Sequence, residues 1–123
     1  MLLDSSVLIE YFIKSEKSYK IVEILDSEEC QLSIVSLAEV CDILLRHGHN
    51  PIEMLDDIKE VCEIVELNTD IAMLAGKLHF ERKMRGRSWG MMDTFVLATA
   101  ILNNWKILTT DNDFAGLDNA EVI

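Results

Sequence analysis

The sequence predicts an α/β fold, a three-layer α/β/α sandwich around a mainly parallel central sheet. Three observations predict it. Short β-rich runs alternate with longer stretches of helical periodicity. No hairpin signal joins one run to the next, and no repeat or linker interrupts the 123 residues. Residues 1–123 therefore read as a single domain, with helices crossing over both faces of a parallel sheet.

The elements follow in order. "MLLD" is a short first strand, and "SSVLIEYFI" is a helix whose Val7, Leu8, Ile9, Tyr11, Phe12 and Ile13 suit a core. "EKSYKIVEILDSE" is a second helix, with Tyr19, Ile21, Val22, Ile24 and Leu25 turned inward. "CQLSIV", Cys30 to Val35, is the second strand, closed by Ser36. "SLAEVCDILLRHG" places Leu37, Val40, Cys41, Leu44 and Leu45 at i, i+3, i+4, i+7 and i+8, an amphipathic helix stopped by Gly48. Asn50-Pro51 opens a helix to about Val61, and "CEIVEL" is the third strand. Asn68 or Thr69 caps a long helix ending at Gly86. "MMDTFVLATAILNN" is apolar on nearly all sides and should be buried. "KILTT" and "AEVI" supply the last two strands.

Composition narrows the function. Half of the residues are hydrophobic and one is proline, which excludes a disordered chain. No apolar run is long enough to span a bilayer, and Asp4 stands where a secretory leader needs basic charge. A cytoplasmic protein with no membrane association is expected. Cys30, Cys41 and Cys62 lack metal spacing and sit among apolar neighbours, as buried thiols in a reducing compartment do. The net charge of −11 opposes a generic nucleic-acid footprint. "KLHFERKMRGR" runs the other way, with five of the eleven basic residues, Lys83, Arg85 and Arg87 among them, and one acid. It is either a solvated helix face or a docking patch for an anion.

The architecture gives the acids a meaning. In an open parallel sheet, ligands bind where strand carboxyl ends meet helix amino ends. Asp4 ends the first strand, Glu39 lies in the first turn after "CQLSIV", Asp111 ends "KILTT", and Asp93 opens the helix that feeds that strand. Each has an ordinary structural role available. Asp4 with Ser5 and Ser6 could cap a helix, Ser36-x-x-Glu39 fits a capping box, Asp93 suits a helix dipole, and Asp113 suits a turn beside Phe114. Jointly those roles explain less, because clustered carboxylates repel and no lysine or arginine is adjacent in sequence. A hard divalent cation resolves the conflict, and oxygen-only ligands favour Mg²⁺ or Mn²⁺ over zinc. Two such ions about 4 Å apart would clamp a phosphodiester and activate water. His47, His49 and His79 fall elsewhere.

With these residues assembled, the chain resembles the PIN-domain family, and within it the small VapC-type toxin ribonucleases. The resemblance runs from "LLDSSVLIEYF" through "SIVSLAEV" to "MMDTFVLATAILNNWKILTTDNDF". Carried over by position, it implies that Asp4, Glu39, Asp93 and Asp111 form an acidic metal pocket, with Asp113 a further, less constant acid beside it. It implies supporting hydroxyls at Ser6 and at Thr109 or Thr110, and a Ser36 that supports Glu39. It further implies Mg²⁺- or Mn²⁺-dependent cleavage of RNA with one or two ions, a homodimer, and a cognate antitoxin. Trp89, in "RSWGMM", is either a base-stacking platform at the rim or a packing anchor for the loop. Two other classes compete. A PIN-like module without catalysis would use its acids to dock a basic partner. A phosphoacceptor receiver domain wants an acidic pair after the first strand and an acceptor Asp after the third, and this chain has neither.

Overall fold

The computed structural model describes residues 1–86 and 89–123. Among them, five strands and six helices alternate: β1 Leu2–Leu3, α1 Ser5–Phe12, α2 Ser18–Ser27, β2 Gln31–Ser33, α3 Ile34–Arg46, α4 Pro51–Val61, β3 Glu63–Val65, α5 Thr69–Met84, α6 Met91–Asn103, β4 Ile107–Thr109 and β5 Ala120–Val122. A 3-10 turn, Asn112–Phe114, follows β4. All strand pairings are parallel, in the order β3-β2-β1-β4-β5. The three-layer sandwich expected from the sequence is the one observed.

The layers are visible in how alternate strand residues divide. Successive side chains on a strand point to opposite faces. Leu3, Leu32 and Leu108 join Val7, Leu8, Ile21, Val40, Leu44 and Ile58 in one core, built with α1 to α4. Leu2 and Ile107, one residue away on β1 and β4, join Val96, Leu97, Ala100, Trp89 and Phe114 in the other. A small cluster of Ile71, Ala75 and Ala98 fastens α5 onto α6. Strands this short contribute little pairing of their own, so burial on both faces is what fixes their register.

Three of the six helices, α3, α4 and α5, start on a side-chain cap. Asn50 Oδ1 accepts the N–H groups of Ile52 and Glu53 at 2.9 and 3.3 Å, ahead of Pro51 at the first helical position. Asn68 Oδ1 accepts from Ile71 N–H at 2.9 Å. Asn104 ends α6 in the left-handed conformation, φ 54°.

Several expectations need correction. The second strand is shorter than Cys30 to Val35. Ser33 Oγ accepts the Val35 N–H at 3.2 Å, so the chain turns helical at Ile34 despite two β-branched residues. Glu39 is thus the sixth residue of α3 and lies beyond its first turn, and Ser36 is no cap. Next, α6 is buried only through its middle, Thr94 and Val96 to Ala100, while Met91, Met92, Ile101 and Leu102 are exposed at its ends. Tyr19 and Val22 likewise face outward on α2. Of the thiols, Cys30 and Cys62 are buried and Cys41 only partly so. Burial pushes Cys62 up to about 12, which leaves it a protonated packing group.

No helix among the described residues is long and apolar enough to cross a membrane.

Candidate active site

Asp4 is 4% exposed and stands at the N-cap of α1, yet its side chain makes no capping bond. Its backbone prolongs the sheet instead, with its N–H donating to Leu108 O at 2.9 Å. Its Oδ2 accepts two hydroxyl protons, from Ser6 Oγ and from Thr109 Oγ1, each at 2.8 Å. Those hydroxyls are oriented in turn by the chain leaving β4. Ser6 Oγ accepts the Thr110 N–H at 3.1 Å, and Thr109 Oγ1 accepts the Asp111 N–H at 2.9 Å. The Asp4 carboxylate can only accept, so each hydroxyl gives it its proton, and the two hydroxyl oxygens lie 3.3 Å apart beside it. Thr110 enters this network by its backbone alone.

Asp111 terminates β4 and caps the 3-10 turn, its Oδ1 accepting the Asp113 N–H at 2.9 Å. Asp111 is half-buried and Asp113 exposed. Asp93 lies in the first turn of α6, which Gly90 caps. Burial, then the charges of Asp4, Asp111 and Asp113, push Asp93 up to about 6. Burial, then Asp4 and Asp93, also raise Glu39. A carboxylate at a helix amino end would ordinarily be favoured in its charged form. Here desolvation and like charge outweigh that dipole.

These shifts describe one shared field. The sheet's carboxyl edge brings Asp4, Glu39, Asp93 and Asp111 together from four segments, with Asp113 at the margin. Among the described residues, no lysine or arginine is among the causes of either shift. Among the described residues, no three His, Cys, Asp or Glu side chains form a group that could hold a metal ion as they stand. The acids' donor set is nonetheless oxygen-only, which suits a hard divalent ion.

The remaining candidates divide. Ser36 is fully buried and its hydroxyl has no partner among the described residues, so it makes no hydrogen bond to Glu39. Lys83 and Arg85 are exposed at the end of α5 and add nothing to the field on Asp93 or Glu39. Arg87 lies outside the described residues. Trp89 is 7% exposed. The Arg82 guanidinium lies 3.4 Å from its ring centroid, and the Phe114 ring centroid is 4.8 Å away. A ring so buried and covered favours packing, the second of the two roles open to Trp89. Sequence reasoning misses this Arg82–Trp89–Phe114 stack. Its one signal is an aromatic residue directly after Asp113.

Comparison with known proteins agrees with this fold. A PIN domain family model matches residues 1–120. Ribonuclease VapC1 of Methanocaldococcus jannaschii is 30% identical over 109 residues, covering 89% of this chain and 74% of that protein. Among solved structures, a toxin–antitoxin complex from Klebsiella pneumoniae superposes with a TM-score of 0.82 at 23% identity, covering 98% of this chain and 95% of its own. VapC20 of Mycobacterium tuberculosis, a toxin that cleaves the sarcin–ricin loop, gives 0.80 at 16% identity, covering 98% and 97%. VapBC2 of Rickettsia felis, bound to a fragment of promoter DNA, gives 0.80 at 19%, covering 99% and 97%. With a family model spanning nearly the whole length and a curated relative aligned over most of it, this chain belongs to the PIN-domain family.

Proposed function

We propose that this protein is a divalent-metal-dependent endoribonuclease that hydrolyses RNA phosphodiester bonds, acting in the cytoplasm as the toxin of a type II toxin–antitoxin pair. The observation that carries the chemistry is Asp4. This buried carboxylate forgoes its available helix cap for two hydroxyl bonds, and it shares the sheet's carboxyl edge with three further acids. The kinship with Ribonuclease VapC1 supports RNA as the substrate. The neighbouring toxin–antitoxin complexes support a cognate antitoxin. A homodimer is part of the same reading.

Asp4, Glu39, Asp93 and Asp111 would hold Mg²⁺ or Mn²⁺, as one or two ions, with Asp113 contributing from the margin. Bound there, the ion supplies Lewis-acid charge against the phosphodiester and its attacking water. The protein's own part is orientation. Ser6 and Thr109 fix Asp4 through Oδ2, leaving Oδ1 without a protein partner among the described residues. The Asp113 N–H holds Asp111 by Oδ1 and leaves Oδ2. Glu39 and Asp93, raised by their neighbours, gain most from a cation because it relieves their repulsion.

The test is cleavage of a structured RNA panel with Mg²⁺, with Mn²⁺ and with EDTA, using wild-type protein, Asp4→Asn and Asp93→Asn. Metal-dependent cleavage lost in both variants supports the reading. Cleavage at full rate in the variants defeats it. RNA binding with no cleavage under any metal would favour a non-catalytic PIN-like module.

A further inference from the structure

Two acid-bearing segments are pinned to each other by a contact that lies beneath the acids. Trp89 precedes Asp93 by four residues, joined to it through Gly90, the cap of α6. Phe114 ends the 3-10 turn that Asp111 caps and that contains Asp113. The two rings meet with centroids 4.8 Å apart and planes inclined at 44°. Phe114 is fully buried, and both rings share a core with Leu2, Val96, Leu97, Ala100 and Ile107. The contact is therefore anchored on the sheet as well as on α6. Arg82, in the last turn of α5, lays its guanidinium over Trp89 and ties a third element to the same point.

We propose that Trp89 is a positioning residue for the acidic site, holding the start of α6 against the turn after β4 so that Asp93 stays close to Asp111 and Asp113. The inference rests on the metal-site reading above. Its physical reason is that these acids repel one another across the rim. A force directed between their own backbones is needed to oppose that splaying, and the Trp89–Phe114 contact is so directed. Generic core burial would not supply it. An aliphatic side chain at position 89 could fill space against Val96 and Ala100, yet it would lose the tilted ring-to-ring contact with Phe114 that sets a separation. The separation of the acids, in turn, determines how well they close on one ion.

The test measures Mn²⁺ binding to the protein without RNA, by electron paramagnetic resonance of free Mn²⁺, alongside thermal unfolding in EDTA. Trp89→Leu is expected to weaken Mn²⁺ binding by about tenfold, the scale of lost support behind metal ligands, and Trp89→Phe to restore most of it. Phe114→Leu should weaken binding similarly, and Trp89→Leu with Phe114→Leu should be no worse than the poorer single variant. If Trp89→Leu does not fold, Trp89→Met serves, because it fills much of the volume without a ring. Wild-type Mn²⁺ affinity in a variant with lowered thermal stability would make Trp89 a packing residue only and overturn the inference. Failure of the wild-type protein to bind Mn²⁺ would overturn the metal-site reading itself, and this inference with it.

Discussion

Thr109 and Asp4 lie 105 residues apart in sequence, and their side chains meet in a buried hydrogen bond of 2.8 Å. The same Thr109 hydroxyl accepts the Asp111 N–H at 2.9 Å, so one oxygen links the acid after β1 to the acid after β4. Thr109→Val keeps the shape and removes both bonds. Cleavage is expected to fall about tenfold, as for other partners that orient metal ligands. Thr110→Val should leave it near wild type, because Thr110 contributes only its backbone N–H. Equal losses in the two variants, measured as initial rates at saturating Mg²⁺, would show that the threonines had been assigned the wrong roles.

Ser33 and Ser36 form a second contrasting pair. Ser33 caps α3, so Ser33→Ala should cost about 1 kcal/mol in urea unfolding. Ser36 is fully buried and its hydroxyl has no partner among the described residues, so Ser36→Ala removes an unsatisfied polar atom and should be neutral or mildly stabilising. A loss at Ser36 as large as at Ser33 would mean that the hydroxyl has a partner after all.

That pair also marks where the sequence is legible and where it is not. Alternating β runs and helical periods specify every strand and helix here, because period and turn chemistry are local. They place Asp4, Asp93 and Asp111 on one sheet edge through topology alone. The end of β2 is misplaced because Ile34 and Val35 are β-branched, and a cap at Ser33 outweighs their preference. The choice between Thr109 and Thr110 depends on which hydroxyl reaches across to β1, and that is a tertiary fact. The Arg82–Trp89–Phe114 stack is illegible for the same reason, since Phe114 reaches Trp89 from a turn 25 residues further along the chain.

Asp93 makes the metal-free protein sensitive to pH. Its ordinary value is 3.8, and the folded protein raises it to about 6. Between those values the folded state binds more protons than the unfolded one, so stability falls as pH rises through this window. Glu39 is raised too and acts in the same direction. In EDTA, the stability of Asp93→Asn relative to wild type should therefore improve between pH 4.5 and 7.5. The gain should be on the order of 1 kcal/mol, given that Asp93 is only half-buried and partly screened. Parallel pH profiles for the two proteins in urea unfolding would refute this.

Metal should reverse the same penalty. An ion bound by the folded state alone stabilises it by RT ln(1 + [L]/Kd), about 2.7 kcal/mol at a hundredfold excess over Kd. Relief of the repulsion between Asp93 and Asp4, Asp111 and Asp113 is part of that gain, so the metal should also flatten the pH profile. Thermal unfolding with and without Mn²⁺ at pH 7.5 is expected to give a clear rise in Tm for wild type. Asp4→Asn, which removes the most buried of the four acids, should abolish most of the rise. Lys83→Ala should leave it intact, because Lys83 is exposed and outside the acids' field. An Mn²⁺-induced rise that persists at full size in Asp4→Asn would place the ion somewhere other than the carboxyl edge of the sheet.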